Sequence, residues 1–138
     1  MSRTLKTTIS WLLRIVAAII MLQTLYFKFS GAEESIYIFT ALGIEPWGRF
    51  VIGSLELIAS IFILYPRSTG FGALLGMGLM LGAIFSHITV LGLVVKGDGG
   101  QLFIYACIVL FSCSILVFQN RESLISLITS IRKKVTHV

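Results

Sequence analysis

Residues 49–66 read "RFVIGSLELIASIFILYP", a run that is apolar almost throughout and yet holds a glutamate, Glu56. The run has the length of a membrane-crossing helix, which needs about 20 predominantly apolar residues. An ionised carboxylate exposed to lipid in such a segment costs on the order of 2.5–3.5 kcal/mol. The run therefore predicts a spanning helix whose polar stripe is turned away from lipid. Arg49, Gly53, Glu56 and Ser60 are spaced three or four apart and form that stripe.

The rest of the chain is of the same kind. Of 138 residues, 57% are hydrophobic and only 12% charged, where a soluble domain is nearer a quarter charged. That balance excludes an ordinary soluble core and implies one small integral membrane domain, residues 1–138, partnered by the lipid bilayer. The net charge of +5 gathers at the ends of apolar runs, which fits surface anchoring and gives no basic groove for nucleic acid. The fold class expected is an all-α membrane protein: a four-transmembrane-helix bundle with spans at about 9–27, 47–65, 70–95 and 101–118. The third is expected to be the longest and tilted. The first could be mistaken for a signal peptide, with Arg3 and Lys6 ahead of it and Ser30-Gly31-Ala32 behind. Its apolar stretch exceeds the usual core of about 7–15 residues for such a peptide.

The connections are punctuated. Ser30 and Glu33 fit a capping box, and Gly43 a helix stop, so "GAEESIYIFTAL" (31–42) predicts a short interfacial helix between spans one and two. Pro46 suits the first turn of span two and Pro66 its end, with Ser68 or Thr69 capping span three. "KGDGG" (96–100) is a turn in which Asp98 is a candidate cap for span four. The tail "RESLISLITSIRKKV" (121–135) places Leu124, Leu127, Ile128, Ile131 and Val135 on one face and predicts an amphipathic C-terminal helix, against the alternative of a frayed, solvated tail. Trp11 and Trp47 suit interface anchors.

Lys and Arg orient the bundle. Arg3, Lys6, Arg14, Arg67, Arg121, Arg132, Lys133 and Lys134 fall on one side, and the positive-inside rule places that side, both termini and the basic tail 119–138 in the cytoplasm. Glu56 then lies about 10 residues into its span from the outer side, roughly 14 Å deep, and His87 lies roughly 12 Å deep. Gln23 sits about one turn inside the outer end of span one, which Lys28 marks, and Gln101 opens span four. The inner half of the spans has no acid and no histidine. Glu56, His87, Gln23, Lys28, Arg49 and Gln101 are therefore the candidate ligand-binding residues, with no catalytic residue assigned. Two readings stand side by side. In one the polar groups line an outward-facing pocket. In the other Glu56, protonated or paired with Arg49 or Lys28, only fixes helix register, and His87 only bonds a neighbouring helix.

Small residues mark two faces of span three, Gly72, Gly76, Ala83 and His87 on one and Gly78, Gly82 and Ser86 on the other, and both read as packing faces. Cys107 and Cys113 are six apart on different faces and suit packing rather than a dithiol centre. Glu56 and His87 are too few for a metal, and His137 is too far away to join them. No nucleophile with a base, P-loop or dinucleotide fingerprint is present.

"LLRIVAAIIMLQTLYFKFSG" (12–31), then "IFTALGIEPWGRFVIGSLELIASIFILYP" (38–66) and "FSHITVLG" (85–92), resemble the DoxX family of small bacterial membrane proteins over about residues 10–118. The shared pattern is an early Arg, a Lys ending the first span, a short helix closing in "LG" and the glycine-glutamate turn of span two. The resemblance implies four spans in a bacterial inner (plasma) membrane. It also implies an accessory role: founding members are membrane subunits of a thiosulfate:quinone oxidoreductase, and others look like partners of thiol or oxidative-stress enzymes. The expectation is an accessory subunit that binds a quinone or similar small amphipath for a redox-enzyme partner, with no covalent cofactor and no enzyme activity of its own. Glu56 would accept a proton or hydrogen bond, and His87 would donate to a carbonyl-like oxygen. The alternatives are a non-enzymatic assembly or interaction protein, and a small transporter, which with four helices needs a homo-oligomer for alternating access.

Overall fold

The computed structural model describes residues 1–137. Its helices are α1 (Arg3–Ser30), α2 (Glu33–Ala41), α3 (Trp47–Leu64), α4 (Thr69–Ser86), α5 (Gln101–Gln119) and α6 (Arg121–Thr136), and α4 is prolonged by a π turn over His87–Leu91. Four are long and apolar enough to cross a membrane: Arg3–Ser30, Trp47–Leu64, Thr69–Leu91 and Gln101–Gln119. They run up and down in chain order, with α1 against α3, α3 against α4, α4 against α5 and α5 back against α1. One end of the bundle carries α2 and the 92–100 loop, and the other carries the N-terminus, the 65–68 turn and α6.

The third span is shorter than expected. It stops at Leu91, whereas α1 is the longest at 28 residues. Gly92, at φ +78, ends it: its N–H donates to the His87 carbonyl at 2.8 Å and the chain leaves the helix. The apolar residues 93–95 lie in the loop beyond the helix, where Val95 is buried at 1% exposed and Leu93 and Val94 are exposed. The predicted capping box is also absent. Ser30 is the last residue of α1, Gly31 (φ +69) turns the chain, and α2 starts behind Ala32 with no side-chain cap. Glu33 instead reaches Lys96 across the bundle end at 2.7 Å. Ser68 and Thr69 close α3 rather than cap α4: their hydroxyls donate to the carbonyls of Phe62, Ile63 and Tyr65. Pro46 precedes α3 as its N-cap residue, Gly43 follows α2 at φ +74, and Asp98 accepts from the Leu102 N–H at 3.1 Å.

The core is a column of Ala17, Met21, Ala59, Ile63, Ala73, Met80, Ala106, Val109, Cys113 and Leu116. Gly72 lets α3 and α4 touch backbone to backbone: a Cβ there would stand 2.5 Å from Ile63 N and 2.7 Å from Ala59 O. At Gly76 it would stand 2.9 Å from Cys113 Sγ, so that free cysteine is a packing group. The outward face is apolar as well, with Ile61, Phe85 and Phe111 more than half exposed, as a lipid-facing surface requires. α6 is helical to Thr136, not frayed. It rests on the bundle through Leu124, which fits against Gly70, and leaves Leu127, Ile128, Ile131 and Val135 exposed.

Candidate functional site

A cavity of about 720 Å³ opens at the α2 end of the bundle, with walls from α1, α3, α4 and α5 and a roof from α2. Its position follows from the glycines of α4. Gly72 and Gly76 pull α4 onto α3 and α5, while on another face of the same helix Gly78 and Gly82 meet nothing: a Cβ at either has open space around it. The Gly78, Gly82 and Ser86 face, expected to be a second packing face, is therefore cavity wall. A small residue marks either a close approach or a hollow, and only the neighbouring helix decides which.

Glu56 projects from α3 into this space and is 5% exposed. Lys28, from the last turn of α1, donates to its Oε2 at 2.9 Å. Lys28 also donates to Thr24 Oγ1 at 3.1 Å, and that hydroxyl donates in turn to the Met21 carbonyl at 2.8 Å. Of the partners open to Glu56 from sequence, Lys28 is thus the one it takes. The pair is neutral overall whichever member holds the proton, and this allows two ionisable groups to sit deep in a membrane protein. Glu56 Oε1 makes no hydrogen bond among the described residues, so one lone-pair face remains for another donor.

Arg49 lies elsewhere. It is buried on the same stripe, but its Nε donates to both Glu45 oxygens at 3.0 and 3.1 Å, and its Nη1 donates to the Lys28 backbone carbonyl. It is absent from the cavity wall. Its effect is to cap the C-terminal end of α1, where backbone carbonyls lack helical partners, and so to hold the turn that carries Lys28. Gly53 and Ser60, the other members of the stripe, leave no room beside Glu56. The Phe29 ring would lie 3.2 Å from a Cβ at 53, and the Ser60 hydroxyl donates to the Glu56 backbone carbonyl at 2.8 Å.

His87 lines the same cavity from the π turn. Its Nδ1 is 2.8 Å from the Gly92 carbonyl oxygen, and its ring meets Phe103 edge-on at 5.6 Å. A carbonyl can only accept, so Nδ1 carries the proton. Nε2 of the neutral ring is then an acceptor and donates only in the imidazolium. The donor role expected for His87 is thus restricted to its charged form. Gln23 lines the wall with no side-chain partner among the described residues, and Gln101, at the mouth, donates from Nε2 to Tyr105 Oη at 2.6 Å.

Thr24, Glu34, Ser35, Asp98 and Tyr105 also line the cavity and were not anticipated. Thr24 and Tyr105 stand four residues from Lys28 and Gln101, a helical spacing that could have flagged them. Glu34 and Ser35 become wall only because α2 folds over the opening. Asp98 fastens the rim: it accepts from Val95, Gly100 and Leu102 N–H groups at 2.9, 2.8 and 3.1 Å. Burial pushes its carboxyl up, but those three backbone donors outweigh it and hold the group below its ordinary range. The hydrogen bond from Lys96, with its charge, likewise lowers Glu33. The rim is therefore tied by Asp98 within the 92–100 loop and by Lys96–Glu33 from that loop to α2.

Chemically, the site offers a cation, a carboxylate, an imidazole and amide and phenol groups around an otherwise apolar hollow. No group of three or more His, Cys, Asp or Glu side chains placed to hold a metal occurs among the described residues. Comparison with known proteins bears on the whole scaffold. No match is found among curated proteins or among solved structures. The DoxX family model matches residues 9–89, more than half of the chain, running from the second turn of α1 through Glu56 and His87 and ending short of α5. With four membrane-length helices, the chain is a multi-pass membrane protein of the DoxX family.

Proposed function

We propose that the α2-end cavity binds a small amphipathic molecule with a carbonyl- or hydroxyl-bearing head, of which a quinone is the best fit, and presents it to a redox partner enzyme. The observation that carries this reading is the convergence of Lys28, Glu56 and His87 on one apolar cavity of about 720 Å³, within the range of about 300–1,000 Å³ usual for small-molecule sites. Lys28 would donate to a head-group oxygen, and the free Oε1 of Glu56 would accept from a hydroxyl. His87 Nε2 would accept from a quinol hydroxyl when neutral and donate to a quinone carbonyl when charged. Apolar walls from Ile20, Leu75, Leu79 and Leu102 would take the ring and the start of a tail. The Lys and Arg distribution supports placing the cavity on the outer side of a bacterial inner membrane with both termini in the cytoplasm.

The test is native mass spectrometry of the gently extracted protein, followed by titration with a short-chain quinone in nanodiscs. The expected result is one co-purified amphipath per chain and saturable quinone binding. Glu56→Gln should weaken that binding about tenfold, the scale of one charge-assisted hydrogen bond. Binding that is unaffected by Glu56→Gln and by His87→Phe would refute the site. A second reading has its own support: Lys28 and Glu56 satisfy one another, and Arg49 clasps the end of α1. On that reading the polar groups hold the bundle together for an assembly or interaction role, and a soluble enzyme would co-purify with no small molecule.

A further inference from the structure

The other end of the bundle poses a different electrostatic problem. Arg14, eleven residues into α1, is 7% exposed, and no nitrogen of its guanidinium donates to any described residue; its Nε is fully buried without a partner. Its guanidinium lies over the Trp11 ring, 4.5 Å from the centroid. That contact orients the cation but takes up none of its N–H groups. Leaving a buried charged donor unsatisfied is costly, and the three ion pairs among the described residues all lie at the α2 end.

Arg14 faces a cavity of about 570 Å³ between the start of α1 and the α5–α6 junction. Lys6, Thr7, Ser10 and Arg121 share its wall, and no Asp or Glu does. Three cations and two hydroxyls thus surround a hollow with no anion of the protein's own. Its height is given by the chain: α5 ends at Gln119 and the basic, amphipathic α6 begins at Arg121, the level at which a spanning helix gives way to one lying on the surface. Trp11 at the same level suits the headgroup boundary. In its wall, Trp11 of α1 and Phe118 of α5 are exposed apolar side chains on which an acyl chain could lie.

We propose that this cavity is a binding site for the phosphate group of an anionic membrane phospholipid, with Arg14 as its main anchor and Lys6 and Arg121 at its rim. A guanidinium matches two phosphate oxygens at once, and Ser10 supplies a further hydroxyl donor, whereas the Thr7 hydroxyl donates to the Arg3 carbonyl at 3.1 Å. A free phosphate ion shares this chemistry, but the level of the hollow in the bilayer and the apolar flank beside it favour the lipid.

The test is retention of phosphatidylglycerol, measured by native mass spectrometry of the full chain released from vesicles of phosphatidylglycerol and phosphatidylcholine. One phosphatidylglycerol per chain should survive delipidation, with no equivalent retention of phosphatidylcholine. Arg14→Gln should lower retention about tenfold, for loss of a bidentate charge-assisted contact. The exposed pair Lys6→Gln/Arg121→Gln, which leaves the core untouched, should lower it about threefold and gives a reading even if Arg14→Gln impairs folding. Replacing Arg132, Lys133 and Lys134 of α6 by Gln should leave the retained lipid in place. Equal retention of both lipids, or no change in the Lys6/Arg121 variant, would overturn the proposal. So would displacement of the lipid by millimolar inorganic phosphate, which would make the hollow a site for a free anion.

Discussion

A double-mutant cycle on Lys28 and Glu56 separates what the pair does for the fold from what it does for a ligand. The two charges are 2.9 Å apart, with side chains 14% and 6% exposed, so neither has water to fall back on. Glu56→Leu strands the Lys28 ammonium, and Lys28→Met strands the carboxylate; each should cost about 3–5 kcal/mol, the usual scale for breaking one side of a buried pair. The double variant Lys28→Met/Glu56→Leu removes both charges and should lie near the wild type, or above it by about 1–4 kcal/mol, because the desolvation cost disappears with the attraction. The coupling energy is then several kcal/mol, well beyond the roughly 0.5 kcal/mol within which independent sites add. Glu56→Gln keeps an oxygen acceptor for Lys28 and should fall between wild type and Glu56→Leu. The assay is reversible unfolding of the purified protein in bicelles, for all four corners of the cycle, with quinone titration of the same samples. A double variant that is folded, stable and unable to bind would support the ligand reading, and one that still binds would refute it. If the two single losses simply add, the ion pair itself is not a buried unit and the electrostatic reasoning fails.

Three further outcomes follow from other parts of the molecule. Gly72→Ala should destabilise by about 1–3 kcal/mol or more, since its Cβ meets backbone atoms of α3 that cannot swing aside. Gly78→Ala, whose Cβ has open space, should stay within about 0.5 kcal/mol of wild type or gain slightly from helix propensity; the same unfolding assay checks both, and equal losses would contradict the contrast. Asp98 is held below its ordinary range in the fold, so the stability it confers is complete above the unfolded value of about 3.9 and lost as pH falls through the lower folded value. Asp98→Asn should be less stable near neutrality and should lack that acid-side loss in a pH series of melts, and identical acid limbs would refute the rim network. Reporter fusions should place the loop at Glu33 outside and the turn at Arg67 inside, and the reverse pattern would put the α2-end cavity on the cytoplasmic side.

Much of this arrangement is written in the residues. Length and apolarity alone mark four spans, and the glycine spacing of α4 marks its contact with α3 at Gly72. The depth of Glu56, Lys28, Gln23 and His87 along their helices anticipates that they share one end of the bundle. What stays hidden in each case depends on a neighbour that the local pattern does not contain. The third span could not be seen to end at Leu91, because residues 93–95 remain apolar in the loop, with Val95 buried and Leu93 and Val94 exposed. Gly78 and Gly82 look like Gly72 and Gly76 in one dimension, yet Gly72 faces a backbone, Gly76 faces packed side chains and the other two face a hollow. Arg49 shares a stripe with Glu56, but two helical turns separate them, and Glu45, one turn away, claims its guanidinium. Thr24 is marked only by its helical spacing from Lys28, a weak signal because threonine in a membrane helix commonly bonds its own backbone, as it also does here with the Met21 carbonyl.

Two cations of α1, Arg14 buried and Lys28 partly buried, show why an ion pair and an ion site differ although the residues look alike in the sequence. Lys28 and Arg14 stand about four turns apart on one helix, each near one end of its membrane-crossing length. At Lys28 the fold brings a carboxylate from α3 to 2.9 Å, and the charge is cancelled within the chain. At Arg14 the opposing wall is the α5–α6 junction, which contributes another cation and amide groups but no acid. If both cations served only to fix helix register, the same internal pairing would be expected at both, since a buried unpaired charge weakens the bundle it is meant to hold. The asymmetry instead matches the surroundings of the two ends. One is roofed by α2 and must balance its charges internally. The other opens at the level of basic α6, where the membrane surface can supply the missing anion.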